Sequence, residues 1–262
     1  MTHTTTSAHN DTTDSDLAEI RQAVANYCEG YYCRDPDQTF LAYHPECLKR
    51  AFEETEHGVF YLIMQTRASM VDVARIQERK IDNPTYEIII DDVISDIASV
   101  RLYSDAWVDL LHVVKARDEW KLLHAAYDTR SESPVEAAQS EVDAIHAVAL
   151  DYIEAWYQGD AQRHAHAYHD ECVKRAFRED GGLEVTSGQR MVDLCATGNT
   201  ILPDAEWDIH IDDIVGNVAS VRVNSTRWID HLHMAKARGR WALLHVSYAP
   251  RKSTAGPEPT RP

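Results

Sequence analysis

Two short segments carry most of the side chains that could do chemistry. Residues 42–52 read AYHPECLKRAF and residues 167–177 read AYHDECVKRAF, identical at nine of eleven positions. Each holds one histidine, His44 or His169, which can act as acid, base or ligand near neutral pH. At the end of a helix the same histidine could instead bond the backbone and fix a turn. Each also holds a cysteine, Cys47 or Cys172, two residues before a Lys-Arg pair that could lower a thiol pKa. The other reading of these cysteines is a small apolar core residue. Lys49-Arg50 and Lys174-Arg175 could guide an anionic ligand or pair with surface carboxylates. His166, just before the second segment, with His169 and Cys172 inside it, forms a secondary metal reading, with His169 and Cys172 sharing one face if the segment is helical. The first segment lacks the extra histidines, so no metal is expected.

Asp109 and Asp230 lie in apolar stretches that alternate like strands. Alternation puts Trp107, Asp109 and Leu111 on one face and Val108, Leu110 and His112 on the other. The same holds for Trp228, Asp230 and Leu232 against Ile229, His231 and His233. A carboxylate among apolar neighbours should have a raised pKa unless it is paired, which suits a general acid or base. His44 or His169, serving with Asp109 or Asp230, are the candidate catalytic residues. A neighbour such as Arg101 or Lys115 could instead neutralise Asp109. His124 and His245 share a face with Trp120 and Trp241 by alternation, as core or interface histidines.

These residues must be positioned by elements, and the elements occur twice. IDDVISDIASVR (90–101) matches IDDIVGNVASVR (211–222), and WVDLLHVVKARDEWKLLHAAY (107–127) matches WIDHLHMAKARGRWALLHVSY (228–248). The offset falls from 125 to 121, so the second copy has lost four residues near position 181. By hand alignment, roughly 40 of about 100 positions agree, a duplication of the whole unit rather than a short repeat. Each copy predicts a first helix with apolar residues at helical spacing: Leu17, Ile20, Val24, Tyr27, Cys28 and Tyr31, then Val142, Ile145, Val148, Tyr152, Ile153 and Trp156. Ser140 with Asp143 resembles an N-terminal cap of the second of these. A short helix ending near Pro45, a helix holding Met70 or Met191, and a meander of four strands complete each copy. Helices followed by strands indicate an α+β unit. The expected division is a tail at 1–14, a first domain at 15–130, a linker at 131–139, a second domain at 140–251 and a tail at 252–262.

The 262 residues carry a net charge of −17, with six tryptophans, twelve tyrosines and five cysteines. Such an acidic chain repels phosphate backbones, so nucleic acid is not an expected partner. No apolar run is long enough to span a membrane. The polar start is unlike a signal peptide, and the odd cysteine count without a CxxC pair suits a reducing compartment. A cytoplasmic chain is expected. No glycine-rich phosphate loop is present, and no cofactor is expected.

The set YxEgwyxgD, lHpexxKR and WxDxLHxxKxxxxWxLlh resembles the nuclear-transport-factor-2-like superfamily, nearest the small proteins described as lumazine-binding and the polyketide-cyclase-like branch. The resemblance covers about residues 15–130 and 140–250. It implies a cone in each copy: three helices wrapped by a curved antiparallel sheet, with a pocket at the wide end. The first helix is one wall, so Tyr27, Tyr31 and Trp107, with Tyr152, Trp156 and Trp228, are the expected substrate-binding residues. Relatives often dimerise through the outer face of the sheet, which implies an intramolecular pseudo-dimer here, with a further homodimer left open. The same cone hosts isomerases, cyclases, dehydratases, hydrolases and plain binding proteins. Acid–base chemistry on a small organic molecule is the leading expectation, and a non-catalytic binding protein is the alternative.

Overall fold

The computed structural model describes residues 12–54, 60–77, 80–131, 137–178 and 182–251. Residues 1–11 and 252–262 of the expected tails, residues 132–136 of the expected linker, and the deletion near position 181 lie outside them.

The first half runs α1 (Asp14–Tyr32), α2 (Pro36–Ala42), β1 (Tyr43–Glu54), β2 (Phe60–Thr66), α3 (Arg67–Ile76), β3 (Tyr86–Ile94), β4 (Ile97–Ser104), β5 (Trp107–Ala116) and β6 (Glu119–Thr129). The second half repeats the order: α4 (Gln139–Gln158), α5 (Ala161–His166), β7 (Tyr168–Phe177), β8 (Leu183–Ser187), α6 (Gly188–Ala196), β9 (Trp207–Val215), β10 (Val218–Ser225), β11 (Trp228–Ala237) and β12 (Arg240–Pro250). Among the described residues no helix is long and apolar enough to cross a membrane.

Local chemistry sets the helix ends. Thr13 and Asp16 form a reciprocal capping box at the start of α1, which satisfies backbone donors that the first turn leaves open. The Ser140–Asp143 cap expected for α4 is not used: that helix begins after Ala138 without a side-chain cap. Gly30 lets α1 and α2 meet, since a Cβ there would lie 2.6 Å from the Thr39 hydroxyl oxygen.

Each sheet has six strands, in the order β2-β1-β6-β5-β4-β3 and β8-β7-β12-β11-β10-β9. The sheet is mixed, not antiparallel throughout. β1 runs parallel to β6, and β7 parallel to β12. The expected four-strand meander is β3–β6, but the segment after the short helix is itself a central strand, so the sheet closes by a crossover. The short helix ends at Ala42, and Pro45 sits in β1 where the register with β6 is interrupted between Tyr43 and Leu48.

The inner face of each sheet packs on its own helices around Ile20, Val24, Leu111 and Leu122, or Ile145, Ile153, Leu232 and Leu243. The outer faces pack on each other. Leu110 and Ala126 share a buried cluster with Val218, Ala235 and Leu244, and Val114 and Leu123 share one with Ala249. The carboxylate in the first turn of each leading helix ties helix to hairpin. Asp16 accepts from Lys115 at 2.9 Å and from the Trp120 indole at 3.0 Å. Glu141 accepts from Lys236 and the Trp241 indole, both at 2.6 Å.

Candidate functional site

Lys49 and Arg50 are adjacent on a strand, so their side chains leave on opposite faces. Lys49 turns inward, where it meets Asp109 from β5 and Tyr27 from α1. Its ammonium donates to Asp109 Oδ1 at 2.7 Å and to the Tyr27 hydroxyl oxygen, while the Tyr27 hydroxyl donates to the same Oδ1 at 2.5 Å. The ammonium also lies 4.2 Å from the centre of the Tyr127 ring, an attractive placement over the ring's negative face. All three members of the triad are buried. A buried ion pair needs such a full set of partners to offset its desolvation. Burial and the Asp109 charge push the Tyr27 phenol well above its usual range, so it remains a protonated donor.

The second half repeats this geometry. Lys174 donates to Asp230 Oδ1 at 2.6 Å and to the Tyr152 hydroxyl, Tyr152 donates to Asp230 Oδ1 at 2.6 Å, and Lys174 lies 4.2 Å from the Tyr248 ring centre.

What lies above each triad differs. In the first half a cavity of about 130 Å³ opens between α1, α3 and the sheet, with Asp109 and Lys49 at its floor and Tyr31, Trp107, Tyr127 and Gln65 among its walls. In the second half only about 10 Å³ remains above Asp230 and Lys174. Ile153 stands where the first half has Cys28, and Trp156 where it has Tyr31. His164, fully buried, packs against the rings of Tyr152 and Trp156 at 5.7 and 5.5 Å and bonds the Tyr168 hydroxyl at 2.9 Å. The matching position in the first half is Thr39.

The expected substrate-binding residues therefore divide. Tyr27, Tyr31 and Trp107 line the open cavity, and Tyr152, Trp156 and Trp228 surround its closed counterpart. Asp109 and Asp230 are neutralised by Lys49 and Lys174. Arg101 and Lys115 are committed to Asp91 and Asp16 instead.

His44 and His169 are in neither cavity, and the structure does not bring them to Asp109 and Asp230. They lie on strands, and each accepts at Nδ1 from the backbone amide two residues on, Glu46 or Glu171, at 3.1 Å. His44 packs edge-on to Phe177, and His169 to Phe52, each ring touching the opposite half. Burial pulls the His44 imidazole down to about 4.

The metal reading fails for the same reason of secondary structure. His169 and Cys172 sit on β7 rather than on a helix, Cys172 is in the core, and His166 is exposed on α5. Among the described residues no group of three or more potential ligands is arranged to hold a metal. Nor are Cys47 and Cys172 activated. Burial pushes both thiols up to about 12.

The outer-face histidines meet at the seam between the halves. His112 stacks on His233 with ring centres 3.7 Å apart, and His124 on His245 at 4.5 Å. Within each half the Nδ1 atoms face each other, at 3.1 Å for His112–His124 and 3.4 Å for His233–His245. His124 does not share a face with Trp120, because the register shift after His112 inserts an extra residue into β6. A bulge of this kind reverses alternation beyond it. Arg50 and Arg175 cross the same seam to the backbone carbonyls of Glu171 and Glu46 at 2.6 and 2.7 Å.

Sequence reasoning gave the Lys-Arg doublets a role in guiding an anionic ligand but did not pair Lys49 with Asp109 or Lys174 with Asp230. The available signal was the doublet itself, since one of two adjacent strand residues must point inward.

The sequence profile of the family described as "Putative lumazine-binding" matches twice, at residues 15–128 and 140–249. The chain belongs to this family, as a tandem pair. No curated protein matches it. Among solved structures, an NTF2-like protein of unknown function from Shewanella baltica is 24% identical over 45% of this chain and 100% of its own, with a TM-score of 0.42. A second, from Silicibacter pomeroyi, is 20% identical over 44% and 100%, at 0.40. A ketosteroid isomerase-like protein from Erwinia carotovora is 15% identical over 44% and 100%, at 0.36. Each of these spans one half of the tandem member of the family described here.

Proposed function

We propose that the first half binds a small organic molecule and that the second half is a closed scaffold, the two packed as an intramolecular pseudo-dimer. The observation that carries this reading is the difference in open volume above two matching triads, about 130 Å³ against about 10 Å³. Cavities that hold ligands are concave, largely apolar and furnished with a few placed polar groups. The first half has all three features, and the second has the polar groups without the space.

The triad does not by itself argue for catalysis. It is the same in a half with no room for a substrate, so building the floor of the cone is sufficient reason for it. Binding without turnover is therefore favoured over the two-residue histidine–aspartate mechanism. One observation keeps a histidine-free acid–base role in view: both hydrogen bonds that reach Asp109 end on Oδ1, so Oδ2 could take a proton from a bound molecule.

The test is a ligand-observed NMR screen of a fragment library against the full chain and against a Cys28→Ile/Tyr31→Trp variant, which gives the first half two of the three residues that fill the second. Fragments that bind the wild type and not the variant support the reading. Equal binding by both proteins, or no binders at all, defeats it.

A further inference from the structure

We infer that the ligand of the first half is a neutral, planar, single-ring molecule presenting an O–H or N–H donor, of the phenol or N–H heterocycle class. This inference rests on the proposal that the first half is the binding half.

Size comes from the cavity. An enclosed apolar space of about 150 Å³ accepts a benzene ring, and the space above Asp109 is about 130 Å³. One ring fits, and two fused rings exceed it. Shape comes from the walls. Tyr31, Trp107 and Tyr127 make the walls aromatic, and aromatic rings favour an offset or edge-on aromatic partner.

Charge comes from the floor. Lys49 and Asp109 already neutralise each other at 2.7 Å. An anionic ligand would meet the Asp109 carboxylate, and a cationic ligand would meet the Lys49 ammonium. Lys49 also occupies the face of the Tyr127 ring, at 4.2 Å, where a ligand cation would otherwise sit. Asp109 and Lys49 are both buried at the base of the cavity, where like charges at contact distance are costly and an unpaired ligand charge is costlier still. A neutral molecule avoids both.

The donor requirement comes from hydrogen-bond bookkeeping at Asp109. Tyr27 and Lys49 both donate to Oδ1. Oδ2 is the acceptor left for a guest, and a carboxylate oxygen only accepts. Among the described residues the Tyr31 and Tyr127 hydroxyls have no hydrogen-bond partner, and each can donate or accept, so a ring carbonyl or nitrogen beside the ligand's donor is also accommodated.

The experiment is calorimetric or NMR titration of the full chain with five probes: phenol, anisole, benzoate, benzylammonium and lumazine. Anisole keeps the ring and loses the donor. A hydrogen bond to a charged acceptor supports a preference for phenol over anisole of about tenfold or more. Benzoate and benzylammonium are expected at least tenfold weaker than phenol, and lumazine, with two fused rings, weaker than phenol as well. Every phenol signal should vanish in Cys28→Ile/Tyr31→Trp. Anisole binding as well as phenol overturns the donor. A charged probe binding best overturns the neutrality, and lumazine binding best overturns the size. If no probe binds while other fragments are lost on closing the cavity, the class is wrong and the binding half stands. If phenol binding survives in the closed variant, both readings fall.

Discussion

The two halves share a fold and a buried Lys–Asp–Tyr triad, yet one keeps a cavity and the other has filled it. Duplication supplies an internal control that single-domain relatives lack. What both halves retain needs no explanation beyond folding, and what they do not share sets the open volume above each triad. His44, His169 and the Lys-Arg doublets occur in both halves and so do not distinguish them. The distinguishing residues are Cys28, Thr39 and Tyr31 against Ile153, His164 and Trp156. None of these is charged at neutral pH. The halves differ by volume rather than by reactive groups.

The largest expected effect concerns the seam, the one region both halves own jointly. Burial holds His112, His124 and His245 well below the usual imidazole range and His233 down to about 3. Neighbouring histidines and the Arg50 and Arg175 guanidiniums reinforce the effect, while the Asp92 carboxylate bonds His231. Folded-state values below the unfolded value near 6.5 mean that, below that pH, the unfolded chain binds more protons than the folded one. Stability is therefore complete above about pH 6.5 and is lost as pH falls. Each histidine contributes a limiting slope of about 1.4 kcal/mol per pH unit, or about 5 for four. Urea unfolding between pH 7.5 and 5.5 should show a loss of several kcal/mol, with fluorescence and circular dichroism changing together. Two separate transitions would break the view that the halves stand or fall as one unit.

Next come the triads. Lys174→Met strands a buried carboxylate in a dry half and should destabilise by about 3–5 kcal/mol. Lys49→Met should cost less, because the cavity admits solvent to Asp109. Equal losses in chemical denaturation would contradict the difference in openness between the halves.

Opening the second half sharpens the comparison directly. Ile153→Cys/Trp156→Tyr/His164→Thr should lower stability by about 2–4 kcal/mol, the usual penalty for emptying a packed site. It should also create a second phenol site, read as a change from one to two equivalents in titration. The converse Cys28→Ile/Tyr31→Trp change, which leaves Thr39 in place, fills space and should alter stability by less than about 1.5 kcal/mol.

The smallest effect is expected for the residues that sequence reasoning ranked first. His44→Gln and His169→Gln each remove one turn-closing acceptor and one ring contact across the seam. Each should cost about 1 kcal/mol and leave ligand titration unchanged. Loss of binding in His44→Gln with the melting temperature preserved would return that histidine to the site.

Much of the fold was legible in the sequence. Period-3.6 spacing marks α1 and α4, alternation marks β3–β6 and β9–β12, and the repeated landmarks mark the duplication and point to the family. The central strands β1 and β7 were not legible, because their histidine, proline and charged residues break simple alternation at the irregular register with β6 and β12. Alternation separates Asp109 from His112 but does not say which of them turns inward. Nor does it give the partners of Asp109, since Lys49 and Tyr27 lie 60 and 82 positions away in the chain.

The sequence by itself determined the duplicated architecture, the family and the aromatic wall of the leading helix, because these rest on local periodicity and on matching one copy against the other. The tertiary structure decided which cation neutralises each aspartate, that His112, His124, His233 and His245 stack in a seam, and that among the described residues the space above the first triad is larger than that above the second. Those outcomes depend on a parallel strand pairing, on bulges that reverse alternation, and on a few side-chain volumes summed in one place, and none of these is a property of neighbouring residues.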